Sequence, residues 1–259
     1  MEKKIVLCFK TEKHYYNKKK NDVRSCKRKS IFGHFKRVSL EVLHRMLTCR
    51  YDLTETELFS YTFQIPLEMR NSSAHMRKHL RKYVGQRIAQ ILKEHSGCDI
   101  AAILYDEDLE TEFGFQSKVS GAFMLAIVRE LMLAYHPVEE VVFIEGKEDA
   151  LFILNDIYST LNVLCVLTPD ISRYHEFADE VYENAGLIVT FQNIMNQSCC
   201  IKGIPFVIDM CSDMKLSCRY IPSGTVYIDL CSTKAKQRAI QLKCRDVHYV
   251  NYWKFLDSY

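Results

Sequence analysis

The chain has 259 residues, 48% hydrophobic and 26% charged, an ordinary globular composition whose length suits one large α/β domain or two small ones. Its net charge of +3 hides an asymmetry, because residues 1–95 hold 22 Lys and Arg against 9 Asp and Glu, or +13, while residues 96–259 carry −10; a basic half of this kind suits an anionic partner, or the acidic half itself. The opening MEKKIVLCFK offers only five consecutive apolar positions, too few for a secretory signal, and the longest uncharged apolar run, Gly121 to Val128, falls far short of the roughly 20 residues that cross a bilayer, so a cytoplasmic protein without a membrane span is expected.

In chain order, Ile5 to Phe9 predicts a short strand, and residues 11–37, rich in Lys, Arg, Asn and Ser, predict a mobile basic loop. Ser39 opens a helix with Leu40, Leu43, Met46 and Leu47 on one stripe. Residues 58–66, LFSYTFQIP, predict a strand that Pro66 closes. Ser72-Ser73 precede a long helix to Glu94, with Met76, Leu80, Val84, Ile88 and Leu92 at four-residue spacing and Gly97 at its end. Ile100 to Tyr105 is a strand, and Ser120 to Tyr135 a largely apolar helix that His136-Pro137 stops. Then follow a strand over 141–145, a helix over 148–160, a strand over 164–168, a helix over 172–185 and a strand over 187–191. Beyond a loop over 192–204, strands are predicted at 205–209 and 225–229, a helix over 232–243 and a last strand at Val247 to Val250.

Strands apolar at every position, alternating with helices, predict an α/β protein: a mostly parallel sheet with helices on both faces and a Rossmann-like C-terminal half. Two regions are expected, a basic α/β part over 1–137 and a degenerate Rossmann-like domain over 138–259.

The stretch VVFIEGKEDALFIL carries the candidate chemistry, since Glu145-Gly146 ends a strand and feeds a helix, which is how an α/β fold presents a phosphate. With Gly146 as the first glycine of a dinucleotide turn, the second and third positions hold Glu148 and Leu151. Asp170 stands 24 residues after Gly146 at the end of the next strand, where an acid grips a ribose hydroxyl. The tract TPDISRYHEFADEVYENAG resembles the segment after the second strand in shikimate-dehydrogenase-type Rossmann domains, a resemblance covering about fifty residues that implies a nucleotide cofactor held by Gly146 and Asp170. FIEGKEDA also resembles the first Toprim motif, which implies Glu145 as a Mg²⁺-linked acid. That family's Asp-x-Asp pair has no counterpart on the later strand ends, where Asp209 and Asp213 stand four apart and Asp229 stands alone; Asp106-x-Asp108 lies upstream. The structural alternative makes Glu145, Glu148 and Asp149 acids that stabilise the start of a helix.

Elsewhere, Lys18, Lys19, Lys20, Arg24, Lys27, Arg28 and Lys29, flanked by Tyr15, Tyr16 and Phe32, form the candidate nucleic-acid contact. Arg77, Lys78, Arg81, Lys82 and Arg87 line the predicted long helix, with His75 and His79 one turn apart. The eleven cysteines, an odd number in a chain with no signal peptide, predict reduced thiols. Cys199, Cys200, Cys211, Cys218, Cys231 and Cys244 crowd the last quarter, yet no C-x2-C pair occurs and their spacing matches no closed zinc site. No P-loop or G-x-S-x-G elbow is present. The expected function is a non-catalytic binding or regulatory module. Its alternatives are a nucleotide-cofactor-binding enzyme using the 145–150 turn and Asp170, a Toprim-like Mg²⁺-dependent nucleic-acid enzyme, and a basic-loop nucleic-acid binder.

Overall fold

The computed structural model describes residues 2–12, 47–52, 56–66, 74–146, 150–193, 206–213, 221, 223–243 and 246–258. The expected helix at Ser39 and nearly all of the basic loop, with Lys18, Lys19, Lys20, Lys27, Arg28 and Lys29, lie outside these residues, as do Cys199, Cys200, Cys218 and Cys244. The chain divides into two compact units, Met1–Ser120 and Gly121–Tyr259. Both are mixed α/β with mostly parallel strands flanked by helices, the predicted fold class.

In the first unit, β1 (Glu2–Glu12) lies between β3 (Thr56–Pro66) and β4 (Asp99–Tyr105), parallel to both. The antiparallel strands β2 (Leu47–Asp52) and β5 (Lys118–Val119) close the edges in the order β2-β3-β1-β4-β5. Ile5, Leu7 and Phe9 project from the central strand into a core with Phe63, Leu80 and Phe113, and the ring of Phe9 stacks on Phe63 and Tyr105 at 4.8 and 5.2 Å. The long helix α1 (Ala74–Glu94) forms where predicted, but its buried stripe differs. Leu80 and Val84 are buried, whereas Leu92 is exposed and Ile91 takes its place. A strict four-residue spacing advances 400°, so each step drifts about 40° around the helix and the last member leaves the core face. Gly85 falls on the exposed side.

Three elements of this unit escaped prediction, the first being β2, which begins at Leu47 where the spacing predicts the stripe of a helix. The helix α2 (Glu107–Phe113) reads EDLETEF, too short and polar to show a period; Asp106 caps it by accepting Leu109 N–H at 3.0 Å, and Gly114, at φ 66°, ends it in the left-handed conformation. The two-residue β5 leaves no pattern at all.

The second unit opens with α3 (Gly121–Ala134), followed by β6 (Glu140–Ile144), α4 (Ala150–Ile157), β7 (Val163–Thr168), α5 (His175–Ala185) and β8 (Val189–Asn193). Then come β9 (Phe206–Asp209), β10 (Val226–Asp229), α6 (Lys234–Lys243), β11 (His248–Asn251) and α7 (Tyr252–Ser258). The predicted helix over 148–160 splits into α4 and a 3-10 turn, Tyr158–Thr160, and the one over 172–185 into a 3-10 turn, Ile171–Tyr174, and α5. All six strands are parallel, in the order β8-β7-β6-β9-β10-β11. Numbered within the unit this is 3-2-1-4-5-6, the complete order of a dinucleotide-binding domain, so the expected degeneracy does not extend to the topology. β6 and β7 are buried nearly throughout, as strands covered on both faces must be.

Candidate functional site

In a sheet of this order the chain leaves the first strand toward one side and the fourth toward the other, opening a crevice beyond their carboxyl ends. Here those ends are Ile144-Glu145-Gly146 and Asp209-Met210-Cys211, joined where Met210 N–H donates to the Ile144 carbonyl at 2.9 Å. The turn packs closely against this partner. A Cβ on Gly146 would lie 2.1 Å from the Met210 carbonyl oxygen and 2.8 Å from its carbon, so only glycine passes here.

Glu145 is buried, 6% exposed, and its interactions run toward β7. Its N–H donates to the Leu167 carbonyl at 2.9 Å, its carboxylate accepts from the Thr168 hydroxyl, and Arg173 Nη1 donates to it at 2.9 Å. Tyr174 packs nearby; burial first, and then the Glu145 charge, push its phenol well above the ordinary range. Glu145 therefore ties two strand ends together, which replaces the expected role at the start of the next helix as its observed engagement; residues 147–149 lie outside the described ones.

Thr168 carries the connection onward, because its hydroxyl oxygen accepts the Asp170 N–H at 3.0 Å. The Asp170 carboxylate caps the 3-10 turn, accepting Ser172 N–H at 3.1 Å and the Ser172 hydroxyl at 2.5 Å. The Ser172 hydroxyl bond, followed by backbone donors and the Arg173 charge, holds this exposed carboxyl below its ordinary range. The fold thus brings Glu145, Gly146 and Asp170 to neighbouring strand ends on one edge of the sheet.

On the other side of the crevice lies a cluster that the sequence did not reveal. Asp209 and Asp229 pair in register on β9 and β10, fully buried, and Lys236 from α6 stands between them, also fully buried, with Nζ at 2.8 and 2.7 Å from their carboxylates. The third ammonium hydrogen goes to the Cys211 carbonyl at 2.7 Å. Tyr227 donates its hydroxyl to Asp209, Tyr249 to Asp229 at 2.7 Å, and the N–H groups of Cys211 and Cys231 complete the two acids at 2.6 and 3.1 Å. Burial raises the Asp229 carboxyl, with Lys236 opposing. For Lys236 burial alone would lower the ammonium, and the two facing carboxylates outweigh it, so it stays raised and charged. Every polar group here has a partner, which makes the cluster a fastening of α6 to the sheet.

The remaining candidates are placed as follows. Asp106 and Asp108 meet at Thr11 in the first unit, Asp106 accepting its N–H at 2.5 Å and Asp108 its hydroxyl at 3.0 Å. Arg77, Lys78, Arg81 and Lys82 are exposed on α1, while the side chains of His75 and His79 lie outside the description. Among the described residues no group of three or more His, Cys, Asp or Glu is placed to hold a metal ion, at Glu145 or elsewhere. No described helix is long and apolar enough to cross a membrane.

No family model matches the chain and no curated protein matches it. Among solved structures it is similar to a shikimate dehydrogenase in complex with NADP+, at 10% identity and a TM-score of 0.37 over 98% of this chain and 86% of that one. It is similar also to quinate dehydrogenase from Corynebacterium glutamicum in complex with NAD, at 11% identity and a TM-score of 0.34 over 95% and 88%. A third is 5-ketofructose reductase of Gluconobacter sp. strain CHM43, at 9% identity and 0.37 over 97% and 88%. At such identities and scores the likeness assigns no activity to this chain. The expectation of a non-catalytic module on a degenerate scaffold is corrected by the sheet itself: its strand order is complete, with the crevice at the turn the nucleotide alternative requires.

Toward a dinucleotide, Gly146 allows a tight turn and Asp170 presents an exposed carboxylate, while by sequence the segment Glu145-Gly-Lys-Glu-Asp bears a net −2 where a dinucleotide domain presents uncharged glycines to the pyrophosphate.

Proposed function

We propose that this chain is a nucleotide-cofactor-binding enzyme whose cofactor lies across the carboxyl edge of the six-stranded sheet, at the 145–150 turn, with its ribose hydroxyls on Asp170. The observation that supports it most is the strand order, because it sets the Gly146 turn and Asp170 at the ends of the first and second strands beside the crevice. A cofactor bound there supplies the reactive group, and the protein supplies binding, orientation and exclusion of water, so the reading is an enzyme. Asp170 is exposed and ionised at neutral pH, and its cap to Ser172 fixes its direction. The reduced thiols described at Cys8, Cys98, Cys165, Cys211 and Cys231 favour the cytoplasm as its compartment.

Thermal unfolding against NAD, NADP, ATP, GTP and S-adenosylmethionine tests the reading. A ligand at about 100 times its dissociation constant stabilises by roughly 2.7 kcal/mol and moves the midpoint by several degrees. Asp170→Ala abolishes that shift, and its own cost to the unliganded protein is that of a lost cap, about 1 kcal/mol. A flat panel removes the proposal.

The four exposed cations on α1 favour a second, independent reading of the first unit, contact with a nucleic-acid backbone. It requires an affinity that falls steeply with salt and a slope that Arg77→Ala with Lys78→Ala reduces; an affinity indifferent to salt removes it.

A further inference from the structure

We infer that Cys211 and Cys231 form a redox-responsive pair, a modification site at which a small-molecule disulfide exchanges with the two thiols and links the ends of β9 and β10 by a reversible disulfide. The inference does not depend on the nucleotide-binding reading. It begins with a repeated pattern, Ile-Asp-Met-Cys at 208–211 and Ile-Asp-Leu-Cys at 228–231, which puts the two cysteines at the same position after two strands. Those strands are parallel neighbours with Asp209 and Asp229 in register, so the two chains run about 4.8 Å apart there. Pairing continues past the strand ends, where Leu230 N–H donates to the Asp209 carbonyl at 2.9 Å. Both chains then make the same turn: Cys211 N–H donates to Asp209 Oδ1 at 2.6 Å, and Cys231 N–H to Asp229 Oδ1 at 3.1 Å. Each cysteine is displaced from its strand in the same way, and the strand spacing carries over to the pair. That spacing lies inside the roughly 4.4–6.8 Å between Cα atoms that a disulfide bridges. Lys236 holds the frame, with Nζ at 2.8 and 2.7 Å from the two carboxylates and 2.7 Å from the Cys211 carbonyl. Both thiols are free and partly exposed.

The two sulfurs have different parts in the exchange. Burial raises the Cys211 thiol, but its sulfur accepts the Asp213 N–H at 3.3 Å, a bond that favours the thiolate. Burial pushes the Cys231 thiol up to about 11, and Cys211 is among the neighbouring charges that raise it. Cys211 therefore attacks first and Cys231 resolves. The Cys211 thiolate attacks one sulfur of the small disulfide, its S–S bond breaks, and one small thiolate leaves and takes up a proton. The Cys231 sulfur, giving its proton to solvent, then attacks the Cys211 sulfur of the mixed disulfide and expels the second small thiol. Two protein thiols are oxidised to one disulfide, and one small disulfide is reduced to two thiols. The strand end so linked carries Met210, whose carbonyl backs the Gly146 turn, so oxidation fixes the crevice wall at that turn.

Glutathione redox buffers of stepped composition, applied to the full chain, test this. After acid quenching and proteolysis, mass mapping is expected to find the Cys211 and Cys231 peptides joined in the oxidising buffers and separate in the reducing ones. The oxidised chain is expected to show a urea midpoint, read by Trp253 fluorescence, about 1 M above that of the reduced chain, the effect of closing a loop of about twenty residues. Cys231→Ser leaves glutathione attached to Cys211 and removes the rise, whereas Cys211→Ser leaves Cys231 unmodified. Both thiols remaining reduced in glutathione disulfide alone overturns the inference. So does Cys211 joined to any other cysteine, a link that reduced glutathione does not reopen, or a midpoint that oxidation leaves unchanged or lowers.

Discussion

Replacing Lys236 by Met puts the strongest demand on the structure. The ammonium is fully buried and sits 2.8 and 2.7 Å from the Asp209 and Asp229 carboxylates, themselves fully buried. Methionine fills much of the same volume, so little cavity forms, and the loss is electrostatic: two carboxylates face one another with only hydroxyl and N–H donors to hold them. Removing one partner of a buried ion pair costs about 3–5 kcal/mol, and the remaining acid–acid repulsion places this case toward the upper end. That corresponds to a fall of roughly 10 °C or more in the midpoint of a unit this size. The assay is urea unfolding read by tryptophan fluorescence. The only tryptophan, Trp253, lies in α7 and so reports on the second unit. The deficit depends on pH in a fixed direction. Burial already raises the Asp229 carboxyl in the native state, and loss of Lys236 removes the charge that opposes it. A carboxyl whose folded value is raised binds its proton more tightly when folded, so stability falls as pH rises through that value and recovers below it. The deficit of Lys236→Met therefore shrinks from pH 8 toward pH 5. Adding Asp229→Asn to the variant restores the original net charge of −1 and recovers at least half of the loss. A deficit under about 1 kcal/mol, or one independent of pH, would show that the cluster does not hold α6 through buried charge.

Three further outcomes follow from the same edge of the sheet. Gly146→Ala destabilises the second unit by more than about 2 kcal/mol, because the new methyl meets backbone atoms that cannot rotate away; an unchanged urea midpoint contradicts the close approach. Tyr249→Phe costs about 1–3 kcal/mol by leaving an Asp229 oxygen without its 2.7 Å donor, and differential scanning calorimetry detects it. Burial pushes the Cys231 thiol up to about 11, so it stays protonated at pH 7.5 and is alkylated slowly by iodoacetamide, the rate rising toward pH 11. Rapid modification at pH 7.5, followed by peptide mass mapping, would refute that burial.

The fold was legible wherever burial on both faces left an unbroken apolar signature. Val141 to Ile144, Leu164 to Leu167 and Phe206 to Ile208 read as covered parallel strands because no alternation interrupts them. Their lateral order was not legible. Nothing near Phe206 says that β9 pairs with β6 rather than with β8, its predecessor in the chain, and that one adjacency turns a list of strands into the 3-2-1-4-5-6 sheet with a crevice. Elements held by caps, such as α2 between Asp106 and Gly114, show no periodicity to find. The misassigned Leu92 has a simpler cause, since a four-residue stripe was followed one turn too far.

At the candidate site the positions were legible and the partnerships were not. Glu145, Gly146 and Asp170 could be located because a strand that ends in an acid and a glycine is unusual, but Arg173 and Thr168, which decide what Glu145 does, lie more than twenty residues away. Lys236 was hidden by its surroundings, for KAKQRAIQLK reads as an ordinary solvated basic helix. One signal could have exposed it: Ile-Asp-Met-Cys at 208–211 and Ile-Asp-Leu-Cys at 228–231 repeat the same pattern on adjacent strands, and two acids side by side at buried strand ends require a cation. Lys236 answers that requirement and Arg173 answers the one set by Glu145. Asp170 differs from these buried acids in standing in solvent, with local donors from Ser172 and no buried cation beside it. An edge that neutralises its buried acids internally, Glu145 through Arg173 and Asp209 and Asp229 through Lys236, leaves the exposed Asp170 carboxylate able to accept from hydroxyl donors.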